Sequence, residues 1–105
     1  MTPPPLTAEQ RSQAAQTAIQ ARRRRAEIKS DFHSGQLSLV DVLDLAGVDP
    51  AADRLRVVEL LEAIPRVGPV RAHAIMTELG IAPNRRLRGL GAHQKVALLN
   101  YFEGM

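Results

Sequence analysis

Five arginines, Arg66, Arg71, Arg85, Arg86 and Arg88, flank two glycines, Gly68 and Gly91, that stand 23 residues apart. Cations beside glycine-centred turns are suited to holding phosphate. Around the first glycine the chain reads Ile64-Pro65-Arg66-Val67-Gly68-Pro69-Val70-Arg71-Ala72-His73-Ala74-Ile75-Met76, the spacing of a helix–hairpin–helix turn. Gly68 is expected to use a backbone conformation closed to residues with side chains, and Pro69 suits the first helical position, where its missing N–H would lack a partner anyway. The free N–H groups just beyond, at Val70 and Arg71, together with the positive end of the helix dipole, form an anion site that needs no particular side chain. Such a site reads the sugar-phosphate backbone rather than bases, and it points to nucleic acid.

The turn recurs. Adding 23 to each number takes Ile64 to Leu87, Val67 to Leu90, Gly68 to Gly91, Ile75 to Leu98, Met76 to Leu99 and Leu79 to Phe102, with chemical type kept. Lys95 falls inside the second copy. Leu87 and Leu90 are the expected anchors there, which leaves Arg85, Arg86 and Arg88 around a short turn. A further cationic run, Arg22-Arg23-Arg24-Arg25, lies far upstream. At 100° per residue, four successive arginines on a helix span about 300°, so they cannot share one face and at least one must differ in role. Some are expected to grip phosphates through paired guanidinium hydrogen bonds, and one could enter a groove. Glu27 and Asp31 are spaced to pair with members of the run, at only ~0.2–0.5 kcal/mol per pair.

These groups need elements to position them. After a lead-in over residues 1–6 containing Pro3-Pro4-Pro5, Thr7 and Gln10 fit a capping box and Gly35 a stop, predicting one basic helix within 7–35. Such a helix would reach ~40 Å. Ala14, Ala18, Ala21, Ile28 and Phe32 share a stripe that Arg25 interrupts, so residues 26–33 are expected to pack on the body while the alanine-rich half is loosely held. Residues 36–105 form the globular part. Ser38 caps a short helix over Leu39–Ala46, Asp49-Pro50 opens another that breaks near Arg56, and Ala92–Phe102 is the last helix. Val57, Leu60, Leu61 and Ile64, and again Ala72, Ile75, Met76 and Leu79, recur at helical spacing.

Composition narrows the class. The 105 residues contain no cysteine, which removes disulfides and thiolate metal sites and permits a cytoplasmic home. With only Phe32, Tyr101 and Phe102 aromatic, the core must be aliphatic, and no alternating run suggests a hairpin of strands. An all-α fold follows. No stretch approaches the ~18 consecutive apolar residues of a membrane span, and the N-terminus lacks an apolar signal core. Net charge is +3 overall, but residues 1–35 carry +3, residues 36–63 carry −4 and residues 64–105 carry +4. A contact surface should therefore be built from both ends of the sequence, with Asp41, Asp44, Asp49, Asp53, Glu59 and Glu62 turned away. His33, His73 and His93 have neither cysteine neighbours nor i, i+4 partners, so no metal site and no cofactor are expected.

The segments Leu6-Thr7-x-Glu9-Gln10-Arg11, Ala21-Arg22 through Arg25-Ala26-Glu27, Leu60-Leu61-Glu62-Ala63-Ile64-Pro65-Arg66-Val67-Gly68, Ile75-Met76-Thr77-Glu78-Leu79 and Arg85-Arg86-Leu87-Arg88-Gly89-Leu90-Gly91 resemble the actinobacterial integration host factor family, and the likeness covers nearly the whole chain. The resemblance implies a long N-terminal helix on a compact body with a helix–two-turns–helix (H2TH) unit. It implies a nucleoid-associated protein that binds double-stranded DNA with little sequence preference, bends it, and serves chromosome organisation and the DNA recombination of phage integration, beside a phage integrase. Members often carry lysine directly after the hairpin glycine, whereas Pro69 and Val70 precede Arg71 here. The expected DNA-contact set is Arg22, Arg23, Arg24, Arg25, Arg66, Gly68, Val70, Arg71, Arg85, Arg86, Arg88, Gly91 and Lys95, on a monomer with no catalytic residues.

Three other classes compete. A DNA glycosylase would use the same turn but needs a catalytic lysine or aspartate shortly after it, or an N-terminal proline; Thr2 follows Met1, and no acid closely follows Gly68-Pro69. A structured-RNA-binding or ribosome-associated module is the better alternative. A protein-interaction domain would show no affinity for nucleic acid. Single-strand binding is disfavoured because bases would find almost nothing to stack on.

Overall fold

Thr7 begins the first helix reciprocally with Gln10: its hydroxyl accepts from the Gln10 N–H at 3.1 Å, and Gln10 Oε1 accepts from the Thr7 N–H at 2.9 Å. The computed structural model describes Pro4, Pro5 and residues 7–103. Residues 1–3 and 6 of the expected lead-in, and the last two residues of the globular part, lie outside the described residues. The first helix, α1, runs Ala8–Ser34 and ends at Gly35, whose φ of 87° is a left-handed conformation that glycine takes without steric cost. Ser38 and Asp41 form a second capping box at the start of α2 (Leu39–Leu45). Asp49 caps α3 (Pro50–Asp53), which has Pro50 in its first turn.

The expected break near Arg56 is present. Arg56 is the extended N-cap of α4 (Val57–Glu62), and it pairs across an isolated antiparallel bridge with Arg86. Val57 N–H donates to the Arg85 carbonyl at 2.9 Å and Leu87 N–H to the Leu55 carbonyl at 2.9 Å. The chain continues through α5 (Pro69–Glu78), a 3-10 turn over Leu87–Gly89, and α6 (Ala92–Phe102). Among the described residues there is no strand, and no helix is long and apolar enough to cross a membrane. The fold is all-α.

Both predicted stripes face the core. Val57, Leu60 and Leu61 of α4 and Ala72, Ile75 and Met76 of α5 are buried, with Ile64 and Leu79 packed at the edge. Ile28 anchors α1 among them with no exposed surface, and Leu98 does the same for α6. Residues 8–20 of α1, by contrast, are all exposed. The molecule therefore measures 53 × 32 × 25 Å. Its radius of gyration of 16.2 Å exceeds the ~13 Å of a compact chain of about this length, because half of α1 stands clear of the body.

Candidate nucleic-acid interface

The two turns share one construction. Val67 N–H donates to the Ile64 carbonyl at 3.1 Å in the first, and Leu90 N–H to the Leu87 carbonyl at 3.1 Å in the second. Val67 and Leu90 are both buried, and Gly68 and Gly91 are both extended N-caps of the helices that follow. Neither glycine can offer a side-chain cap of its own, and only the α6 start has its N-cap N–H taken by a side chain, that of Gln94. In α5 that leaves the N–H groups of Val70 and Arg71 without intrahelical partners, Pro69 having none to offer. Val70 is 86% exposed, so among the described residues nothing covers its side chain at this helix start.

One expectation is corrected here. Gly68 has φ −89° and ψ −179°, an extended backbone open to any residue, and the left-handed position in the turn belongs to Arg66, with φ 72°. The bend is made two residues earlier than anticipated, at a residue that carries a side chain. The space in front of Gly68 is open, since an added Cβ would meet nothing within 4 Å. Exposed Arg66 and Arg71 line a shallow cleft of about 270 Å³ with Pro65 and Val67, which puts both guanidinium groups beside the start of α5.

The second cluster rests on a braced frame. Arg85 Nη1 donates to the Gly89 carbonyl at 2.9 Å, and Arg86 Nη1 to the Arg54 carbonyl at 2.7 Å. Arg88 is exposed and makes no such tie among the described residues. Asn84, Arg85, Arg86, Arg88 and Gly89 line a polar cleft of about 430 Å³. Lys95 is half-buried in the first turns of α6. Gln94 binds the turn to its neighbour: its Oε1 accepts from Gly91 N–H at 3.2 Å while its Nε2 donates to the Gly80 carbonyl at 3.0 Å. Gln94 thus ties Gly91 to the C-terminal end of α5, while Gly68 opens its N-terminal end, and α5 itself is about 15 Å long by helix rise.

The arginine run divides as helical geometry requires. Arg22 and Arg23 are exposed and Arg25 is half-buried. Arg24 is committed elsewhere: its Nε donates to Asp49 Oδ2 at 2.8 Å, and its Nη1 reaches Glu27 at 3.3 Å. These hydrogen bonds raise the Arg24 pKa further, and the Arg24 guanidinium holds the Asp49 carboxyl below the usual carboxylate range. Asp49, one of the acids expected to be turned away from the contact surface, is the partner of Arg24, and the local pair forms at i, i+3 rather than i, i+4. Exposed His33, for which the sequence suggests no partner, donates its Nδ1–H to the Ala63 carbonyl at 2.8 Å and ties the end of α1 to the end of α4. No local pattern announces such a contact.

Comparison with known proteins agrees with this geometry. The S13-like H2TH domain model matches residues 32–102. The chain is 50% identical over 103 residues to the integration host factor of Mycolicibacterium smegmatis, covering 98% of each chain. It is 51% identical over 102 residues to that of Mycobacterium tuberculosis, covering 97% of each. To that of Streptomyces coelicolor it is 43% identical over 102 residues, covering 97% of this chain and 95% of the relative. A solved structure described as sIHF bound to an 8bp palindromic DNA matches with a TM-score of 0.81 at 40% identity, covering 83% of this chain and 98% of that one. The paired glycine-capped turns, the long capped α1 and near-full-length identity converge on one assignment: the chain belongs to the actinobacterial integration host factor family and carries its H2TH domain.

Proposed function

We propose that this chain binds double-stranded DNA largely without sequence preference, through phosphate and minor-groove contacts, and bends it. The observation that carries this reading is the repeated turn, two glycine-led helix starts flanked by Arg66, Arg71, Arg85, Arg86 and Arg88, the first of them bare and the second held by Gln94. Val70 and Arg71 contribute backbone donors, while Gly91 and Lys95 contribute the second helix start and its charge. Arg22, Arg23 and Arg25 add a separate basic element on α1. The arm and the body act as a single unit on one duplex.

Bending follows from that separation. Straight DNA cannot satisfy contacts that lie on an arm and on a body at once, and curvature lets both close. Bending a 20–30 bp site by 40–90° costs on the order of 1–6 kcal/mol, which a few arginine–phosphate contacts offset. The role is architectural rather than enzymatic, carried out by a monomer in the nucleoid of the cytoplasm and including service as a host factor for phage integration on DNA that an integrase also occupies.

A gel-shift titration against random duplex DNA at several salt concentrations tests this. With six to eight phosphates neutralised, log K should fall with log salt at a slope of roughly −5 to −7. A nearly flat response would reject the electrostatic picture. The S13-like character of the domain match favours a second reading, structured RNA held by the same turns. Competition between duplex DNA and folded RNA at equal salt decides between them.

A further inference from the structure

Where α1 leaves the body, a single long-range ion pair among the described residues spans the junction. Ile28, Phe32 and His33 hold the C-terminal end of the helix, by burial, packing and the bond to the Ala63 carbonyl. Beyond Arg24 toward the N-terminus, no residue of α1 makes a side-chain hydrogen bond to the body among the described residues, and residues 8–20 are exposed. The arm is therefore a lever. From Ile28 to Ala8 it spans 20 residues, or ~30 Å at 1.5 Å per residue. A tilt of ~10° about Ile28 would move its tip by ~5 Å, more than the ~3.4 Å between successive base pairs. Whatever fixes the tilt fixes which phosphates the arm can meet.

We propose that Arg24 is a positioning residue: clamped on Asp49, it sets the angle at which α1 leaves the helical body. The acceptor is itself immobile. Asp49 Oδ1 accepts from the Ala51 N–H at 2.9 Å as the cap of α3, and Oδ2 is thereby aimed at Arg24 Nε, 2.8 Å away. One carboxylate thus serves a helix start with one oxygen and the arm with the other. Only 20% of the Asp49 side-chain surface and 40% of that of Arg24 is exposed, so the pair is sheltered more than an ordinary surface ion pair. With Asp49 and Glu27 both bound to it, Arg24 is the member of the run with the least charge left for a phosphate. Its neighbours Arg22 and Arg23 are the exposed ones. This assignment rests on the proposed DNA reading only for its consequence, since the clamp itself acts in the unbound protein.

The chain has no cysteine, so Gln13→Cys and Asn100→Cys place one spin label on the exposed arm and one on α6 without competing sites. The label-to-label distance distribution of the free protein is expected to be narrow. It should at least double in width in both Arg24→Gln and Asp49→Asn, because asparagine keeps the α3 cap while losing the charge. Unchanged widths in both variants overturn the proposal. With duplex DNA carrying end fluorophores, Asp49→Asn should retain affinity within twofold while its end-to-end distances spread over a wider range. Severalfold tighter binding by Asp49→Asn, with a salt slope steeper by about one, would mean that Arg24 is a phosphate ligand released from Asp49, and would also overturn it. Broadened distances in the variants of a protein that retards no DNA would uphold the clamp and remove the DNA reading alone.

Discussion

The two turns are near copies in sequence and in hydrogen bonding, yet they are held differently. The first leaves its helix start bare, bends at a left-handed arginine and, among the described residues, is tied to a neighbouring element by a side chain only at its entry, where His33 holds the Ala63 carbonyl. The second is braced by Gln94 to Gly80, by Arg85 to Gly89 and by Arg86 to Arg54. A duplicated motif can therefore divide its labour. One copy offers backbone donors at an open helix start, and the other holds guanidinium groups on a stiff frame.

The sharpest way to break this contrast is an acid at each glycine. Gly68→Asp should lower affinity for duplex DNA about tenfold or more, ~1.4 kcal/mol per decade, while a cap better than glycine adds a few tenths of a kcal/mol to stability. Gly91→Asp should cost only about threefold, ~0.7 kcal/mol, because Gln94 already occupies that turn. Gly68→Ala, with open space before it, should bind better than Gly68→Asp. Equal losses at both glycines in a gel shift would erase the distinction between the copies.

Arg66→Gly comes next in size. A left-handed residue with a side chain is strained by roughly 1–2 kcal/mol, so glycine should raise stability by ~1 kcal/mol once its looser unfolded state is counted. That corresponds to a Tm gain of roughly 4–8 °C, with a severalfold loss of affinity. A variant that gains stability and loses no affinity would show that the strain serves no contact.

Within the braced copy the effects are smaller and separable. Arg88→Ala should weaken binding threefold to fivefold, or ~0.7–1 kcal/mol, across unrelated DNA sequences and leave Tm alone. Arg86→Ala should match that loss and also lower Tm, since the Arg54 carbonyl loses its donor. Loss of helix by circular dichroism in both variants would make these arginines structural.

The smallest effect is on pH. The Asp49 carboxyl is lowered chiefly by Arg24, and the Asp41 carboxyl by the backbone N–H and then the hydroxyl of Ser38. A depressed folded-state value means that the stabilisation is present above the ordinary 3.8 and is lost as pH falls through the depressed values. Thermal melts should therefore be flat from neutral pH to about 5 with respect to these groups and decline below about 4. In Asp49→Asn the acid decline should be shallower.

What was legible in the sequence was what is local. Thr7 with Gln10, Ser38 as a cap, Asp49 before Pro50 and the starts of the helices after Gly68 and Gly91 are features within four residues, so residue type and spacing suffice to place them. The 23-residue repeat carried the core positions Val67 and Leu90, and Ile75 and Leu98, with it. Illegible were the ties set by packing: Arg24 to Asp49, His33 to Ala63 and Arg86 to Arg54, each joining residues 25 or more apart. The left-handed Arg66 was missed for another reason. Glycine is the default occupant of that conformation, and a glycine stood two residues away to take the credit.

The bridge between Arg56 and Arg86 gathers the intervening chain, about 30 residues, into a closed loop that contains the whole first turn and all of α5. The segment from which the open α5 start projects is thus held at both ends by one pairing. Insertions within that loop would stretch its contents without releasing them, whereas a fragment ending before Arg85 would lose the tether and let α4 come adrift. Arg86 is part of that fastening, so a mutation there is expected to register in the lifetime of the folded protein as well as in its affinity for DNA.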